Sequence, residues 1–455
     1  MILELANQRV LVVGLGKSGV DCAIFLKDRG AQVTVSDAKP PEQLGEAIPK
    51  LLDHGIVVET GGHGERTFRG QDLIVVSPGV PSDTPALLQA RAMGEPVIGE
   101  IELAFRFLPG PIVAITGSNG KTTTTTLAGD IISAGGYPTL VGGNIGTTAI
   151  SLVEIATPDT FIVLEVSSFQ LETIEKFRPK IAVVLNVTPD HLDRHRTFEG
   201  YANAKARIFE NQTADDYAVL NADDPVCVEF GKRTKSQVVW FSRKQDVKIG
   251  ASVRNGRILF RKGKEEIEVM PVSEIPLKGS HNLENVLAAG CSGLLLGCEP
   301  SQVRKAITGF KAVEHRLEYV ATVEGVEYYN DSKATNVDAT IKALESFPGG
   351  IHLILGGKDK GSDYTLLNDL LRARVKRVYT IGAAAAKIES QVKGNAELVR
   401  AETLQRAVEA ASESAVSGDV VLLAPACASF DQFENYGHRG RVFKELVQAI
   451  AVPTK

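Results

Sequence analysis

The chain has 455 residues, which is enough for about three domains with separate hydrophobic cores. Its formal net charge of −5 argues against partners that need a strong positive field, such as nucleic acid or an acidic membrane surface. The five cysteines form no C-x-x-C pair, and the sequence has neither a basic leader nor an apolar run of about 18 residues, so we expect a cytoplasmic protein that does not associate with membranes. We also expect a monomer.

The first hundred residues alternate between predicted strands and helices. Strands are predicted at 9–13, 32–36, 73–76 and 96–98. Between the first two, Gly14-Leu-Gly-Lys-Ser-Gly19 spells G-x-G-x-x-G, and Asp37 follows about 20 positions later. This pattern is typical of a diphosphate loop, as in an NAD-dependent dehydrogenase, although a close structural contact between helix and strand would also produce it.

A second Gly-rich loop lies between a predicted buried strand, Ile112–Ile115, and a helix that runs toward Ser133. Residues 116–122 read T-G-x-x-G-K-T, a shorter form of the general phosphate loop. We expect Lys121 to lie across the β- and γ-phosphates of a nucleotide and the Thr122 hydroxyl to bind Mg²⁺. The alternative is an ordinary turn that happens to carry a lysine.

Two more buried strands are predicted, at 161–167 and 181–187, with polar residues in the first and after the second. Glu165 lies within the apolar segment 161–167, where a buried carboxylate needs either a metal or a salt-bridge partner. His191, Asp193 and His195 alternate after the strand 181–187, at the end of a strand where α/β proteins bind ligands. A solvated polar loop is the other interpretation of these three residues.

Other positions have ordinary interpretations from residue chemistry alone. Asn144 lies in a Gly-rich turn, Lys205 resembles a surface lysine on a helix, and Ser280 or Asn282 could cap a helix. Arg316 could pair with a neighbouring glutamate. Residues 248–270 are predicted to form a hairpin around Asn255-Gly256, to which we assign no function.

The phosphate loop, D-H-L-D at 190–193, Y-x-x-A-K at 201–205 and G-x-H-N-x-x-N at 279–285 together resemble the Mur ligase family, ATP-dependent enzymes that form amide bonds in cell-wall synthesis. Further strands predicted at 351–355, 377–381 and 420–423 complete a third α/β region. The resemblance covers all three regions. It implies a Rossmann-like UDP-substrate domain (1–100), a P-loop ATPase-like parallel-sheet domain (101–312) that binds ATP, and a Rossmann-like amino-acid-binding domain (313–455).

The resemblance also implies ATP and two Mg²⁺ sites. The expected ATP-binding residues are Gly117, Ser118, Asn119, Gly120, Lys121, Thr122, Thr123, Asn282, Arg316 and Asp331. The expected metal ligands are Thr122, Glu165, His191 and Lys205. In the family, the lysine that matches Lys205 is carbamylated by CO₂ and so becomes an oxygen donor, which suits Mg²⁺. Lys121, His191, Lys205 and Arg316 are the implied catalytic residues.

The implied substrates are UDP-N-acetylmuramoyl-L-alanine and D-glutamate, because residues 424–440 resemble the D-glutamate-adding branch and the sequence lacks the D-N-P-x-R motif of the diamino-acid branch. Residues expected at the UDP substrate are Gly16 and Ser18 at the diphosphate, Asp37 and Lys39 at the uridine end, Ser77 near the uracil, and Asn144. Ala38 stands where relatives carry a hydroxyl. Lys333, Thr335, Lys360, Ser429, Phe430 and Tyr436 are expected in the third domain, around the acceptor and the amino acid.

Two alternatives stay open. A folylpolyglutamate synthase-like ligase would share the central region but lack the N-terminal G-x-G-x-x-G loop. An NAD-binding dehydrogenase would use that loop and leave the loop around Lys121 unexplained.

Overall fold

The computed structural model describes residues 3–64, 66–311 and 313–451, which form three mostly parallel β-sheets covered by helices. The chain divides into two compact units, Met1–Ser273 with Glu284–Ile307 and Glu274–Leu283 with Thr308–Lys455. The predicted three-domain α/β architecture is confirmed. The domain limits stay predictions, and residues 1–2, 65, 312 and 452–455 of the predicted ranges lie outside the described residues.

The first sheet is parallel and has the order β3-β2-β1-β4-β5. Its strands are β1 (Arg9–Val13), β2 (Gln32–Asp37), β3 (Val57–Thr60), β4 (Leu73–Val76) and β5 (Val97–Gly99). Its helices are α1 (Lys17–Asp28), α2 (Ala47–Asp53), α3 (Pro85–Ala92) and α4 (Glu100–Phe105). The strand order reverses between β1 and β4, so the loops after these strands open a crevice at a topological switch point.

The second sheet has the order β14-β13-β12-β11-β10-β9-β6-β8-β7. Its first strands are β6 (Ile112–Thr116), β7 (Thr139–Gly143), β8 (Phe161–Glu165), β9 (Ile181–Val184), β10 (Tyr217–Asn221) and β11 (Gln237–Ser242). Its helices are α5 (Lys121–Ala134), α6 (Ala149–Leu152), α7 (Ser168–Leu171), α8 (Leu192–His195), α9 (Phe198–Ala206) and α10 (Pro225–Arg233). Here the order reverses between β6 and β9, which places the loops after these two strands side by side.

Three strands complete this sheet: β12 (Gly250–Arg254), β13 (Arg257–Lys262) and β14 (Glu265–Pro271). The predicted turn is present, since Asn255 and Gly256 have positive φ angles of 50° and 73° between antiparallel strands. The prediction of a single hairpin was incomplete, because β14 continues the antiparallel pairing. The helices α11 (Ser280–Leu295) and α12 (Pro300–Gly309) follow.

The third sheet has the order β15-β16-β20-β17-β18-β19, with only the β15–β16 pair antiparallel. Its strands are β15 (Glu318–Val323), β16 (Val326–Asn330), β17 (Ile351–Gly356), β18 (Val375–Ile381), β19 (Glu397–Glu402) and β20 (Val420–Leu423). Its helices are α13 (Val337–Glu345), α14 (Asn368–Arg374), α15 (Ala385–Val392), α16 (Leu404–Ser414) and α17 (Tyr436–Ala451). Within the described ranges, every helix is too short or too polar to cross a bilayer.

One continuous hydrophobic core joins the first two sheets and extends from Leu5 to Phe230. Polar contacts reinforce this junction: Thr148 Oγ1 donates to Asp21 Oδ2 at 2.8 Å, and Glu100 Oε1 accepts from Ile150 N at 2.9 Å. Burial raises the pKa of Glu100 to about 7. The junction therefore contains a carboxyl group that is easier to bury when protonated.

We expect Glu100→Gln to stabilise the protein more at pH 8 than at pH 5.5. The folded-state pKa of about 7 lies above the value of about 4.3 for an unfolded glutamate. The free energy of unfolding of the wild type is therefore higher at low pH and falls as the pH rises through 7. The expected decrease is about 2 kcal/mol between pH 5.5 and 8. Melting temperatures of wild type and Glu100→Gln at the two pH values measure the difference, with the exposed Glu42→Gln as control. An equal shift at both pH values would contradict this prediction.

Candidate active site

The loop between β6 and α5 has the backbone of a phosphate-binding turn. Gly117 and Gly120 have φ angles of 154° and 87°, in the region that favours glycine. A Cβ atom on Gly120 would also lie 2.2 Å from Asn285 Oδ1, a residue that sequence analysis did not select. The predicted ATP residues 117–123 are thus contiguous in this loop and the first turn of a 14-residue helix, whose N–H groups can bind an anion.

Asn186, which sequence analysis also missed, anchors the loop. Its backbone carbonyl accepts from Ser118 N, and its Oδ1 accepts from Asn119 N, both at 2.9 Å. Its Nδ2 donates to Asn119 O at 3.1 Å. Because Asn186 follows β9, these bonds join the two sides of the switch point. An asparagine at the end of a buried strand was the signal in the sequence.

Two lysine ammonium groups meet at one carbonyl of this loop. Lys121 Nζ donates to Gly117 O and to Ser118 O, both at 2.9 Å. Lys205 Nζ donates to Gly117 O at 2.8 Å. Two lysine nitrogens at the same short loop provide N–H donors, which suits the phosphates of a nucleotide.

Lys205 is buried, with 1% of its surface exposed, so the interpretation as a surface lysine was wrong. It lies near the end of α9, and its Nζ is 4.5 Å from the centroid of the Tyr201 ring. Burial, with a smaller contribution from the charge of Lys121, lowers the pKa of Lys205 well below its usual range. Its amine is therefore neutral more often than that of an exposed lysine.

Glu165, at the end of β8, is buried and hydrogen-bonded on both oxygens. Oε2 accepts from the Thr122 hydroxyl at 2.7 Å, and Oε1 accepts from Asn144 Nδ2 at 2.9 Å. Within the described part of the chain it makes no ion pair, so the salt-bridge alternative finds no support. A carboxylate beside a hydroxyl provides hard oxygen donors, and these two residues fit Mg²⁺. No three His, Cys, Asp or Glu side chains among the described residues come together as a metal site.

His191 lies at the start of α8 with a positive φ of 52°. Its Nε2 is 3.6 Å from Asp190 Oδ2, and its ring centroid is 4.9 Å from that of Phe169. The ring of Tyr201 is a neighbour of both His191, at 6.5 Å between centroids, and Lys205. The structure thus places His191 beside the residues around Lys205.

His195, for which the family pattern gave no role, packs in the protein interior beside His191 and contacts residues of α7 and its end. Its Nε2 lies 3.0 Å from Ser168 Oγ, its Nδ1 lies 3.5 Å from Glu172 Oε1, and its ring stacks on Phe169 at 5.4 Å. Burial lowers its pKa. Both ring nitrogens therefore have protein partners, and Phe169 lies between His195 and His191.

A cleft of about 510 Å³ lies at the switch point of the first sheet. All six residues predicted to bind the UDP substrate line it: Gly16, Ser18, Asp37, Lys39, Ser77 and Asn144. A Cβ atom on Gly16 would meet nothing within 4 Å, whereas one on Gly19 would lie 1.8 Å from Gly14 O. The close contact between helix and strand is therefore present at Gly19, and the open space at Gly16 is compatible with a diphosphate ligand.

Two of the cleft residues also hold the protein's own backbone. Asp37 Oδ2 accepts from Leu15 N at 2.6 Å, and its Oδ1 accepts from Lys39 N at 2.8 Å. Ser77 Oγ donates to Gly14 O at 2.8 Å. These side chains shape the loop as well as line the cleft, which sequence alone did not indicate.

The cleft is connected to the phosphate loop. Asn144 lines the cleft and donates to Glu165, which in turn accepts from Thr122 in the first turn of α5. Nearby, Lys17 Nζ donates to Gly146 O at 2.5 Å. This bond joins the Gly-rich segment 14–19 to the Gly-rich segment 142–146. A hydrogen-bonded chain of side chains therefore links the cleft to the loop.

In the second unit, Asp331 is buried, and burial raises its pKa to about 6 despite the opposing charge of Arg316. Its Oδ1 accepts from Leu317 N at 3.2 Å. Arg316 Nε is buried and has no hydrogen-bond partner among the described residues, and the arginine makes no ion pair there with a neighbouring glutamate. An unpaired guanidinium nitrogen suits an anionic ligand. Asn282 Nδ2 donates to Lys278 O at 2.6 Å.

The residues predicted around the acceptor and the amino acid lie on loops of the second unit and, for Tyr436, at the start of α17. Lys333 Nζ is 5.3 Å from the ring centroid of Tyr436, and Thr335 N donates to Lys333 O at 2.9 Å. Ser429 is buried, whereas 68% of Phe430 is exposed. Lys360 is exposed, and no contact joins it directly to these residues in the described ranges. The loop of Lys360 pairs with the segment of Ser429 and Phe430 through an antiparallel bridge between residues 358 and 428.

Arg439, which sequence analysis quoted without a role, holds these loops together. It is fully buried, and its guanidinium donates to Ser332 O at 2.8 Å and to Cys427 O at 3.1 Å. Burial lowers its pKa to about 10. Its partners are backbone carbonyls and the Ser332 hydroxyl, which belong to other segments, so no local pattern in the sequence could have found it.

Comparison with protein families finds three matches: Mur ligase MurD-like, N-terminal domain over residues 8–99, Mur ligase middle domain over 115–293, and Mur ligase, glutamate ligase domain over 315–427. The UDP-N-acetylmuramoylalanine–D-glutamate ligase of Koribacter versatilis is 68% identical over 453 residues, which cover 100% of both chains. That of Acidobacterium capsulatum is 59% identical over 449 residues, covering 98% of this chain and 97% of its own.

Among solved structures, a pseudomurein peptide ligase type C from Methanothermus fervidus matches with a TM-score of 0.62 at 20% identity, covering 98% of this chain and 100% of its own. At that identity the likeness supports the fold alone.

Proposed function

The chain belongs to the Mur ligase family, and we propose that it is the member that joins D-glutamate to UDP-N-acetylmuramoyl-L-alanine in peptidoglycan precursor synthesis. The observation that carries this proposal is the 68% identity to a D-glutamate ligase over the whole of both chains. ATP is converted to ADP and phosphate in the reaction. We expect it to take place in the cytoplasm, and the monomeric state stays a prediction.

The first step forms an acyl phosphate. The carboxylate of the acceptor's L-alanine attacks the γ-phosphorus of ATP, and the bond to the β-γ bridging oxygen breaks, which releases ADP. Negative charge spreads over the transferred phosphoryl oxygens in the transition state. Lys121, from the phosphate loop, and Arg316, with its unpaired Nε, would neutralise this charge.

The second step forms the amide. The D-glutamate amine attacks the acyl carbonyl, a tetrahedral intermediate collapses, and phosphate leaves together with a proton from the amine. The cleft that holds the UDP part and the loop that holds ATP must keep the two reacting ends together, which is the main source of rate in such a transfer. Asn144, which lines the cleft and donates to Glu165, would help to align them.

We assign Thr122, Glu165, His191 and Lys205 as the residues that would hold Mg²⁺. Bound magnesium supplies positive charge to the phosphates and orients their oxygens. The hydrogen-bonded pair of Thr122 and Glu165 supports this assignment, because both are oxygen donors.

Lys205 as an unmodified ammonium would repel a metal ion. We propose that its amine reacts with CO₂ to form a carbamate, which replaces the cation with an anionic oxygen donor. The lowered pKa of Lys205 supports this, because only the neutral amine reacts. Its position at Gly117 O, on the same loop as Thr122, supports a role at the metal.

We place the amino acid among the third-domain residues. Lys360, Ser429 and the backbone around Ser429 and Phe430 would bind its two carboxylates. Tyr436 would form an aromatic wall, and Lys333 and Thr335 would face the acceptor. The bridge between residues 358 and 428, which joins the loop of Lys360 to that of Ser429, supports this. Asp331 would meet the ATP ribose, and Asn282 the adenine side.

The two alternatives are less favoured. A folylpolyglutamate synthase-like ligase does not account for the N-terminal cleft with its open Gly16 position. A dehydrogenase does not account for the lysines gathered at Gly117 O. Family matches over all three regions support neither of them.

The test of the proposed substrate is a phosphate-release assay with UDP-N-acetylmuramoyl-L-alanine and each amino acid in turn. We expect turnover with D-glutamate only. D-alanine would leave the Lys360 ammonium unpaired, and L-glutamate with both carboxylates fixed would point its amine away from the acyl phosphate. Comparable turnover with L-glutamate, D-alanine or a diamino acid would overturn the substrate assignment.

The chain offers a matched pair for the amino-acid site. Lys360→Ala is expected to raise the KM for D-glutamate about 10- to 100-fold, because a charged hydrogen bond contributes about 1.5–3 kcal/mol. Lys358→Ala removes an exposed lysine two positions away and is expected to change KM less than about threefold. Equal effects of the two substitutions would contradict the role of Lys360.

A further inference from the structure

One side chain in the N-terminal cleft was not selected from the sequence. His63, in the loop after β3, lines the cleft together with Asp37, Ala38 and Lys39. Its loop is attached to that segment by backbone bonds, from Gly61 N to Lys39 O at 2.9 Å and from the next amide to Asp37 O at 3.5 Å. His63 therefore lies at the carboxyl edge of the sheet, beside the end of β2.

The imidazole of His63 is held in one orientation. Its Nδ1 is 2.9 Å from Oγ of the buried Ser36, and its ring packs edge-to-face against Phe68, with 5.6 Å between centroids and 79° between planes. Because the two ring nitrogens diverge, the bond from Nδ1 to the interior leaves Nε2 on the opposite side of the ring. Nε2 makes no hydrogen bond within the described ranges.

Two other polar side chains at this end of the cleft are already engaged, and Lys39 can offer a ligand only hydrogen-bond donors. Both oxygens of Asp37 accept backbone N–H groups, and Ser77 Oγ donates to Gly14 O. The side chain of Ala38 has no polar atom that could bind a ligand. A histidine fixed by two contacts is thus the pre-oriented side chain next to the residue that ends β2, the position at which Rossmann-like domains contact the nucleoside rather than the diphosphate.

We propose that His63 is a specificity residue for the nucleotide, with Nε2 hydrogen-bonding the uridine end of UDP. The inference rests on the proposed function, since it requires a UDP substrate. The Ser36 contact fixes the ring, so little conformational entropy is lost when the nucleotide binds.

The chain allows a test that separates the two ring nitrogens. In His63→Gln the side-chain amide reaches the position of Nε2, whereas in His63→Asn it reaches only that of Nδ1. Calorimetric titration with UDP should show a five- to tenfold weaker Kd for His63→Ala and for His63→Asn, and less than about a twofold change for His63→Gln. His54→Ala, which removes an exposed histidine of the same domain, is the control.

A steady-state measurement gives a second readout that general damage would not produce. The KM for the UDP-linked acceptor should rise by the same factor in His63→Ala, with kcat and the KM for ATP unchanged within twofold. Wild-type UDP affinity in both His63→Ala and His63→Asn, or an equal loss in all three His63 variants, would overturn the inference alone. Absence of UDP binding by the wild-type protein would overturn the proposed function as well.

Discussion

Replacing Lys121 with alanine is expected to lower kcat about 10²- to 10³-fold, the usual loss for one group that stabilises charge in the transition state. Lys121 opens α5, and its ammonium already lies over the loop, bonded to Gly117 O and Ser118 O. The substitution leaves the glycines and the helix N-terminus in place. ATP should therefore still bind, and the main loss should appear in the phosphoryl-transfer step.

Binding of UDP provides the internal control for this prediction, because Lys121 does not line the N-terminal cleft. The Kd for UDP should change less than about twofold in Lys121→Ala, and Lys232→Ala, at an exposed lysine of α10, should leave all parameters unchanged. Phosphate release and UDP titration measure the two effects. Wild-type turnover in Lys121→Ala would remove this residue from the catalytic assignment.

Hydrophobic pattern was sufficient to predict most of the fold. The strands predicted at 9–13, 73–76 and 420–423 have these limits in the structure, because buried parallel strands are continuous apolar runs. The prediction 181–187 was too long, since the strand ends at Val184. The remaining residues, through Val187, are buried but belong to the loop that carries Asn186, and burial pattern alone cannot separate a strand from a buried loop.

The candidate site was predictable where the functional side chains lie in a segment whose backbone conformation is itself set by the local sequence. The loop from Gly117 to Lys121 requires glycine at positions 117 and 120, where φ is positive, so its conformation can be predicted from its sequence. Contacts between distant segments carry no such signal. That Asp37 binds two backbone N–H groups, or that Arg439 joins two loops, depends on tertiary packing. For the same reason the family pattern, and not residue chemistry, was needed to select Lys205.

Replacing Lys205 with alanine is expected to abolish nearly all turnover, by at least about 10²-fold. A free lysine has a pKa of about 10.4, so at neutral pH little of its amine could react with CO₂. Burial of Lys205 removes this obstacle by lowering its pKa, and the nearby Lys121 charge acts in the same direction. Lys205 Nζ donates to Gly117 O at 2.8 Å, and a carbamate would present oxygen in its place.

The chemistry of the missing group allows the prediction to be tested by rescue. Formate or acetate should restore part of the activity of Lys205→Ala, because each supplies the carboxylate-like oxygen that the carbamate provided, while Lys121→Ala should not respond. Carbon-13 NMR of wild type equilibrated with labelled CO₂ should show a carbamate signal that is absent from Lys205→Ala. An active alanine variant together with an unmodified lysine in the wild type would refute the carbamate. Loss of activity without rescue or signal would leave Lys205 only its contacts with Gly117 and Tyr201, and so a purely structural role.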